Sequence, residues 1–383
     1  MTELINVGFR AERAVSPCDG GVWWVVLDAE LVVHREASAF LACLQGADRS
    51  PHTIRAYAGR AALFLGWCAG QGVDWRGVEL AQLARFKHWL EVAPARTGRT
   101  RSGSTVNAIL TAVCELLRFC ARTGLIEAAV AERLSQPRWL RFTPPGFDAG
   151  ESGQFRTVRA RALKARAETP FPEALTSEQV DAVLACCRRP RAHFMVVLLL
   201  HTGLRIGEAL GLRRTDMHLL PDSRGLGCAV VGAHVHVRHR ANPNGALAKS
   251  RYPRTVPASD AVLGAYADYQ HERYQHERDG LVGEDVTEMV LVNLYHRPLG
   301  APMRYRAAKG FFDRLADGCG FPVRPHMLRH SAATNWVRAG VDLDVVQALL
   351  GHASLASTTV YLHARDEDKR RAVEAVAAGG RYR

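Results

Sequence analysis

The sequence contains no pair of cysteines at the spacing of metal ligands. Its nine cysteines are an odd number, are scattered along the chain, and form no CxxC motif. Disulfide-stapled proteins are usually short secreted chains with an even cysteine count. We therefore expect reduced, mostly buried thiols instead of a disulfide or zinc framework, and we predict no metal and no cofactor.

The sequence also lacks the marks of a membrane-spanning or exported protein. No apolar run approaches the roughly 20 residues that a membrane-spanning helix requires. The opening stretch "MTELINVGFRAERAVSPCDGG" has no basic region followed by an apolar core and a small-residue cleavage site. These absences predict a cytoplasmic protein with no membrane partner.

Acidic residues are too few to balance the basic ones. The chain has 50 Lys and Arg against 38 Asp and Glu, a net charge of +12 and a pI near 9.6. Such an excess favours a polyanionic partner, either nucleic acid or an anionic membrane surface. A soluble basic protein from an Arg-rich proteome would have the same balance, so charge alone leaves both interpretations open.

The 383 residues, 48% of them hydrophobic, are enough for two hydrophobic cores. Residues 1–30 are predicted to be an extended lead-in with a strand at "GGVWWVVLD", and residues 31–135 show helical periodicity. Residues 136–170 are rich in Pro, Gly and Arg with little periodicity, which indicates a basic linker. That linker is either a solvated spacer or a segment that lies along a phosphate backbone. Residues 171–383 form the second domain.

Two long helices are predicted in the first domain. "SPHTIRAYAGRAALFLGWCAGQG" begins with a capping Ser50 and Pro51 and stops at Gly70. "GSTVNAILTAVCELLRFCARTGLI" carries apolar residues at helical spacing and ends at Gly124. With two shorter helical stretches, the pattern indicates a bundle of four or five helices.

The second domain is predicted to be mainly α with a small antiparallel β-sheet. "RAHFMVVLLLHTGLRIGEALGL" is an apolar helix that breaks at Thr202 and Gly203, and a second helix follows. "CAVVGAHVHVRHR" alternates apolar and polar residues as a strand does, and "SRYPRTVPA" follows it as a second strand after a turn. Most of the remaining chain has helical periodicity.

Cationic residues recur in four short stretches of this domain. Arg205 starts a helix just after the Thr-Gly break, where free backbone N–H groups favour an anion; an ion pair with Glu208 at i+3 is the simpler interpretation. In "RPHMLRHSAATNWVRAG", His326 and Arg329 share one helix face. His326 and His330 at i, i+4 have zinc-ligand spacing, but a methionine replaces the glutamate of H-E-x-x-H. One anion bound by His326 and Arg329 is the better interpretation.

The other two stretches add a lysine, a histidine and a tyrosine. Lys249 falls in a turn before the second predicted strand, where an isolated lysine is normally solvated. In "LLGHASLASTTVYLH", His352 precedes Tyr361 by nine positions. Tyr361 could close a small hydrophobic core or act as a nucleophile. A phenol, with a pKa of about 10, needs a cationic surround and a base to attack at neutral pH.

The stretches "TGLRIGEALGL", "HMLRHSAATN" and "LLGHASLASTTVYLH", in this order, resemble the catalytic segments of the tyrosine recombinase (phage integrase) family. The resemblance covers the whole second domain. Residues 31–135 resemble that family's SAM-like core-binding domain. The resemblance implies a two-domain recombinase architecture, with a SAM-like helical domain followed by an α+β catalytic domain.

The resemblance also implies a role for each residue of the site. Arg205 and Arg329 would hold the scissile phosphate, and His326 and His352 would complete the cage, with His326 as a proton acceptor. Lys249, in a β-hairpin turn, would protonate the leaving 5′-oxygen, and Tyr361 would form a 3′-phosphotyrosyl link. His330, Glu208, Thr202 and Leu350 would have supporting roles, and Thr358 and Thr359 could hydrogen-bond locally near Tyr361. The resemblance thus predicts six catalytic residues: Arg205, Lys249, His326, Arg329, His352 and Tyr361.

The implied function is site-specific recombination of double-stranded DNA for integration or excision of a mobile element. A homotetramer on DNA is expected, in the bacterial cytoplasm and at the nucleoid when DNA is bound. The C-terminal stretch "ARDEDKRRAVEAVAAGG" is expected to be a charged helix that docks on a neighbouring protomer. The alternatives are a type IB topoisomerase-like enzyme, a non-catalytic DNA-binding relative, and a metal hydrolase that uses His326 and His330.

Overall fold

The computed structural model describes residues 8–18, 20–95, 97–142, 152, 154–167, 173–279, 288–352, 357–361 and 374. The chain divides into two compact units, Met1–Pro170 and Phe171–Arg383. The predicted docking helix in the C-terminal tail lies outside the described residues, apart from Glu374, which is helical.

The first unit is a helical bundle with two small antiparallel hairpins. Its described helices are α1 (Arg35–Gly46), α2 (Pro51–Gly70), α3 (Leu80–Val92), α4 (Gly103–Arg122) and α5 (Ala128–Arg133). Its strands are β1 (Arg10–Val15), β2 (Val22–Leu27), β3 (Ser135–Trp139) and β4 (Thr157–Arg161), which pair as β1–β2 and β3–β4. The predicted bundle and the predicted strand at "GGVWWVVLD" are therefore present.

The caps of α2 and α4 explain where these helices begin. The Ser50 hydroxyl accepts from the backbone N–H of Thr53, and the Ser102 hydroxyl accepts from that of Thr105. Each bond satisfies one of the free N–H groups in a first helical turn. By length and composition α4 could cross a membrane, whereas the sequence predicted no such helix. Nine of its side chains are buried, however, and most of them belong to the core of the bundle.

The segment predicted to be a linker without regular structure contains the β3–β4 hairpin. Most side chains of these two strands are exposed, so they lack the apolar alternation from which a strand is recognised. Side-chain contacts hold the segment on α4. Asn107 exchanges two hydrogen bonds of 2.9 Å with the backbone of Ala165, and Arg161 Nη1 donates to the Asn107 carbonyl and the Thr111 hydroxyl.

The second unit is mainly helical with a three-stranded antiparallel sheet of order β5–β6–β7. The strands are β5 (Met217–His218), β6 (His234–Val237) and β7 (Arg254–Pro257). The described helices are α6 (Ser177–Cys186), α7 (Pro190–Thr202), α8 (Ile206–Leu210), α9 (Asp260–Arg278), α10 (Tyr305–Cys319), α11 (Pro325–Arg338) and α12 (Leu343–Leu350). The fold class agrees with the prediction.

The core of this unit lies between α7 and the elements around it. Phe194, Val196, Leu198 and Leu199 of α7 are fully buried, and the inward-facing Val235 of β6 packs in the same core. A smaller cluster joins Ala333, Val346, Leu350 and Tyr361. The small cluster brings α11, α12 and the segment around Tyr361 together.

Candidate active site

The break between α7 and α8 places Arg205 at the site. Gly203 ends α7 with a φ of 60°, a left-handed conformation that glycine adopts without steric cost. A Cβ on Gly203 would lie 3.0 Å from the Trp336 ring and 3.1 Å from the Leu350 side chain. Both the dihedral angle and the close packing therefore require glycine before Arg205.

A buried carboxylate organises the arginines. Glu208 Oε1 lies 3.0 Å from Arg205 Nη1, and its two oxygens accept hydrogen bonds of 3.2 and 2.7 Å from Arg254. Burial by itself would raise the pKa of Glu208, but the hydrogen bonds and charges of Arg254 and Arg205 outweigh it and hold that pKa below its ordinary value. The carboxylate therefore stays ionised and fixes both guanidinium groups.

Arg329 is the most buried cation of the site, with 2% of the residue exposed. Its Nη1 donates to the Gly203 carbonyl at 2.6 Å, and its Nη2 donates to the Leu350 carbonyl at 2.7 Å. Burial, followed by the charge of Arg205, lowers the pKa of Arg329 to about 9. Arg205 Nη1 lies 3.4 Å from the same Leu350 oxygen, so the two arginines meet at the end of α12.

Helix α11 carries two histidines one turn apart. The rings of His326 and His330 lie nearly parallel, at an interplanar angle of 16° with centroids 5.5 Å apart. Loss of solvent lowers the pKa of His330 to about 4, and His326 and Arg329 add to the shift. The pKa of His326 is also lowered, first by loss of solvent and then by the charges of Arg329, Arg205 and Lys249. Both rings are therefore neutral at pH 7.

Tyr361 ends a short 3₁₀ turn, Thr359–Tyr361, and is 6% exposed. Its hydroxyl oxygen lies 2.8 Å from His330 Nδ1. Burial raises the pKa of the phenol, whereas the charges of Arg329 and Arg205 lower it in part. The phenol therefore has both a neutral imidazole and two nearby cations, which are the two features that nucleophilic attack requires.

His352 also lies close to the phenol ring. Its ring is parallel to that of Tyr361 within 8°, with centroids 6.4 Å apart. His352 Nδ1 lies 3.0 Å from the hydroxyl of the buried Thr358, whose carbonyl accepts from the Tyr361 N–H. The predicted local hydrogen bonding of Thr358 is therefore present. Burial, with Arg329 and Arg205, lowers the pKa of His352 to about 4.

Lys249 lies in the connection between β6 and β7, in a hairpin as the resemblance implies, and its side chain is exposed. It lines a cavity of about 520 Å³ together with Arg205 and His326. Arg205 in turn shares the Leu350 carbonyl with the buried Arg329. Within the second unit, the structure thus places all six predicted residues around one region.

Two contacts in the site were not predicted from the sequence. The resemblance implied only a supporting role for His330, but its Nδ1 lies 2.8 Å from the Tyr361 hydroxyl oxygen. The i+4 spacing from His326 could have placed it on the same face. Arg254 had no role, because no local pattern shows that a strand residue will meet Glu208, which lies 46 positions earlier.

The arrangement does not resemble a zinc site formed by His326 and His330. Their rings are parallel instead of converging, and His330 Nδ1 faces the Tyr361 hydroxyl. Ligands of a tetrahedral ion must point toward one centre. The metal hydrolase alternative therefore has no support in this geometry.

Comparison with known proteins identifies the class. The phage integrase family profile matches residues 173–368, just over half of the chain. Transposase A from transposon Tn554 of Staphylococcus aureus is 27% identical over 354 residues, covering 90% of this chain and 91% of the transposase. Tyrosine recombinase XerC of Mycobacterium tuberculosis is 30% identical over 316 residues, covering 82% of this chain and 89% of XerC.

A solved structure agrees at the level of the fold. The Tn1549 transposon integrase in complex with a circular intermediate DNA matches with a TM-score of 0.60 at 18% identity, over 89% of this chain and 99% of that chain. The fold and the profile together define a tyrosine-type, site-specific recombinase, an enzyme class that cuts and rejoins DNA. The chain belongs to the phage integrase family, as the resemblance of its motifs predicted.

Proposed function

We propose that the chain recombines specific sites of double-stranded DNA through a covalent link to Tyr361, and that it moves a transposon-like element. The observation that carries the proposal is the buried Tyr361 hydroxyl, 2.8 Å from His330 Nδ1 and flanked by the charges of Arg205 and Arg329. The net charge of +12 suits a DNA partner. The match to the Tn554 transposase over nearly its whole length supports the mobile-element role.

The reaction begins with attack of the phenol on a phosphodiester. The Tyr361 oxygen forms a bond to phosphorus while the bond from phosphorus to the 5′-oxygen breaks. His330 Nδ1 accepts the phenol proton, in place of His326, to which the resemblance gave this role. Lys249 Nζ donates a proton to the leaving 5′-oxygen. The product is a 3′-phosphotyrosyl link, and attack by another 5′-hydroxyl reverses these steps and rejoins the DNA.

The cations stabilise the transition state. Negative charge grows on the non-bridging oxygens, and guanidinium groups already fixed by the protein stabilise that charge without reorganising. Arg205 and Arg329 have this role, and His326 and His352 donate hydrogen bonds from the remaining directions. Arg329 has two N–H groups committed to carbonyl oxygens, and a guanidinium has five N–H groups in all, so donors remain for the phosphate.

We further propose that the active assembly is a homotetramer on two DNA sites, in the bacterial cytoplasm and at the nucleoid. Strand exchange between two duplexes requires four cleavage events, which one tyrosine per protomer supplies when four protomers assemble. The solved Tn1549 integrase, in complex with a circular intermediate DNA, is a precedent for DNA binding by a protein of this fold.

A nicked suicide substrate tests the proposal. A pool of nicked duplexes with a randomised core is incubated with the full chain without added divalent cations, and protein–DNA adducts that survive SDS are isolated and sequenced. We expect adducts enriched for one sequence, formed by the natural chain and absent with Tyr361→Phe. An adduct that persists in Tyr361→Phe would overturn the nucleophile assignment. Relaxation of a supercoiled plasmid without sequence enrichment would instead indicate a topoisomerase-like enzyme.

A further inference from the structure

A cluster of three histidines and one cysteine lies in the second unit, away from the site around Tyr361. His234 and His236 are two positions apart on β6 and therefore share one face of the sheet, whereas Val235 and Val237 between and after them are buried in the core. His218 of β5 pairs in register with His234. Cys228 comes from the connection between β5 and β6.

The ligand atoms of the cluster converge. Cys228 Sγ lies 3.4 Å from His234 Nε2 and 3.5 Å from His236 Nε2, and the two Nε2 atoms are 3.1 Å apart. With the nearest ring nitrogen of His218, all four ligand atoms lie within 4.8 Å of one another. Zinc has bond lengths of about 2.0–2.1 Å to nitrogen and about 2.3 Å to sulfur, so tetrahedral ligands are separated by about 3.4 Å (N to N) and about 3.6 Å (S to N). The separations among Cys228, His234 and His236 lie within about 0.3 Å of these values.

One hydrogen bond fixes the tautomer of His234 and leaves a lone pair on its Nε2, next to Cys228 Sγ and His236 Nε2. His234 Nδ1 lies 2.7 Å from the Gly232 carbonyl oxygen, which can only accept, so the His234 proton is on Nδ1 and its Nε2 carries a free lone pair. A backbone carbonyl in this position is the usual partner that orients a metal-binding histidine. The tautomer of His234 is therefore the one that a metal ion requires.

A second observation is independent of these distances. His218 is 8% exposed, and its Nδ1 is buried without a hydrogen-bond partner. Buried polar side-chain atoms in native proteins nearly always have a partner, and each exception calls for an explanation such as an ion. A metal ion at the centre of the cluster would supply a partner for the His218 ring.

We propose that His218, Cys228, His234 and His236 bind one Zn²⁺ ion. Binding displaces the proton of the Cys228 thiol into solvent, and the thiolate and three neutral imidazoles complete a tetrahedron after a small rotation of His218. All four positions are filled by the protein, which is the arrangement of a structural zinc site without an open coordination position. The ligand spacing, H-x9-C-x5-H-x-H, contains no CxxC motif, which is why the sequence indicated no zinc site.

The ion would stabilise the sheet that supports the active site. It would join the connection that carries Cys228 to β5 and β6, and β6 pairs with β7 through Val237 and Arg254. Arg254 holds Glu208, which in turn holds Arg205. The zinc site would therefore position the strand that supports the arginines without contacting DNA itself.

Cobalt substitution of the full chain tests the proposal. The purified protein is assayed for zinc by mass spectrometry, stripped with a chelator, and titrated with Co²⁺ alone. We expect about one metal per chain, the intense visible bands of tetrahedral cobalt, and a thiolate-to-cobalt charge-transfer band. Cys228→His should keep the tetrahedral bands and lose the charge-transfer band, whereas Cys43→Ser, at an exposed cysteine elsewhere, should keep both.

Thiol alkylation of the natural chain gives a result that does not depend on a variant folding. With Zn²⁺ bound, Cys228 should resist iodoacetamide, and chelation should make it reactive, while the exposed Cys43 should react in both states. Absence of zinc together with no charge-transfer band, or equal Cys228 reactivity with and without the chelator, would overturn the proposal and leave a hydrogen-bonded cluster. These readouts do not involve DNA, so their failure is separate from failure of the proposed recombination.

Discussion

Nδ1 of His330 lies 2.8 Å from the hydroxyl oxygen of Tyr361. The distance is that of an ordinary hydrogen bond. With the phenol as donor, the ring proton of His330 lies on Nε2. A base is thus in place beside the proposed nucleophile, and the consequence can be measured by substitution and by pH.

His330→Ala is expected to slow formation of the covalent adduct by about 10²- to 10⁴-fold, because that is the usual contribution of a positioned general base. DNA binding should be unchanged, since His330 is neutral. Single-turnover cleavage of the suicide substrate measures the rate, and gel shift measures binding. His271→Ala, an exposed histidine on α9, is the matched control and should cleave normally. A cleavage rate near that of the natural chain in His330→Ala would return the base role to His326.

Cleavage should also persist at mildly acidic pH. The pKa of His330 is lowered to about 4, so the ring remains able to accept a proton well below pH 6.5. The acid limb of the single-turnover rate is therefore expected near pH 4 to 5, measured with saturating DNA. A limb at pH 6.5 would show that a histidine with an ordinary pKa governs the step.

His330 and His352 together link the stability of the protein to pH. Each of His330 and His352 has a folded-state pKa of about 4 against about 6.5 in the unfolded chain, so the unfolded state binds more protons between these values. The free energy of unfolding should therefore fall as the pH drops from 6.5 toward 4, by at most about 1.4 kcal/mol per pH unit for each histidine. Urea denaturation at several pH values measures this slope. His352→Asn should reduce it, and an unchanged slope would contradict the assignment.

Glu208→Ala is expected to destabilise the second unit by about 3–5 kcal/mol, because removing one partner leaves buried charges of Arg254 and Arg329 uncompensated. The control is Glu288→Ala, at an exposed ion pair 3.4 Å from Arg213, which should change the free energy of unfolding by less than about 1 kcal/mol. Urea denaturation measures both variants. Equal effects would show that burial of Glu208 is unimportant.

Gly203→Ala should cost more than Gly320→Ala. Both glycines have positive φ values, 60° and 74°, so both variants incur about 1–2 kcal/mol of backbone strain. At Gly203 the added Cβ would also lie 3.0 Å from Trp336 and 3.1 Å from Leu350. At Gly320 no atom lies within 4 Å of the added Cβ. Thermal unfolding compares the two, and cleavage assays should show a loss of rate for Gly203→Ala alone, because the Gly203 carbonyl binds Arg329.

Much of this arrangement was predictable from the sequence. The helical periodicity and the Ser50 cap indicated α2, and the three motifs indicated the family. Both kinds of signal depend on residues that are close together in the sequence. The contacts between Glu208 and Arg254, and between His330 and Tyr361, were not predicted. They join residues 46 and 31 positions apart, and only the packing of the whole unit brings them together.

The hairpin β3–β4 and the cluster around Cys228 were missed for different reasons. The hairpin strands are exposed, so their stability comes from backbone pairing and from contacts with α4, and neither leaves an apolar pattern. The cluster draws its residues from two strands and a connection, with spacing that matches no common zinc motif. Register between β5 and β6, which the sequence does not specify, is what aligns His218 with His234.

The carbonyl of Leu350 has a further consequence for DNA binding. It accepts a hydrogen bond from Arg329, lies 3.4 Å from Arg205, and is followed directly by Gly351 and His352. A free arginine side chain has about 2 kcal/mol of rotamer entropy to lose when it becomes ordered. Because folding has already restricted these side chains, that entropy is lost before DNA arrives, and more of the binding free energy remains to bend or align the two strands.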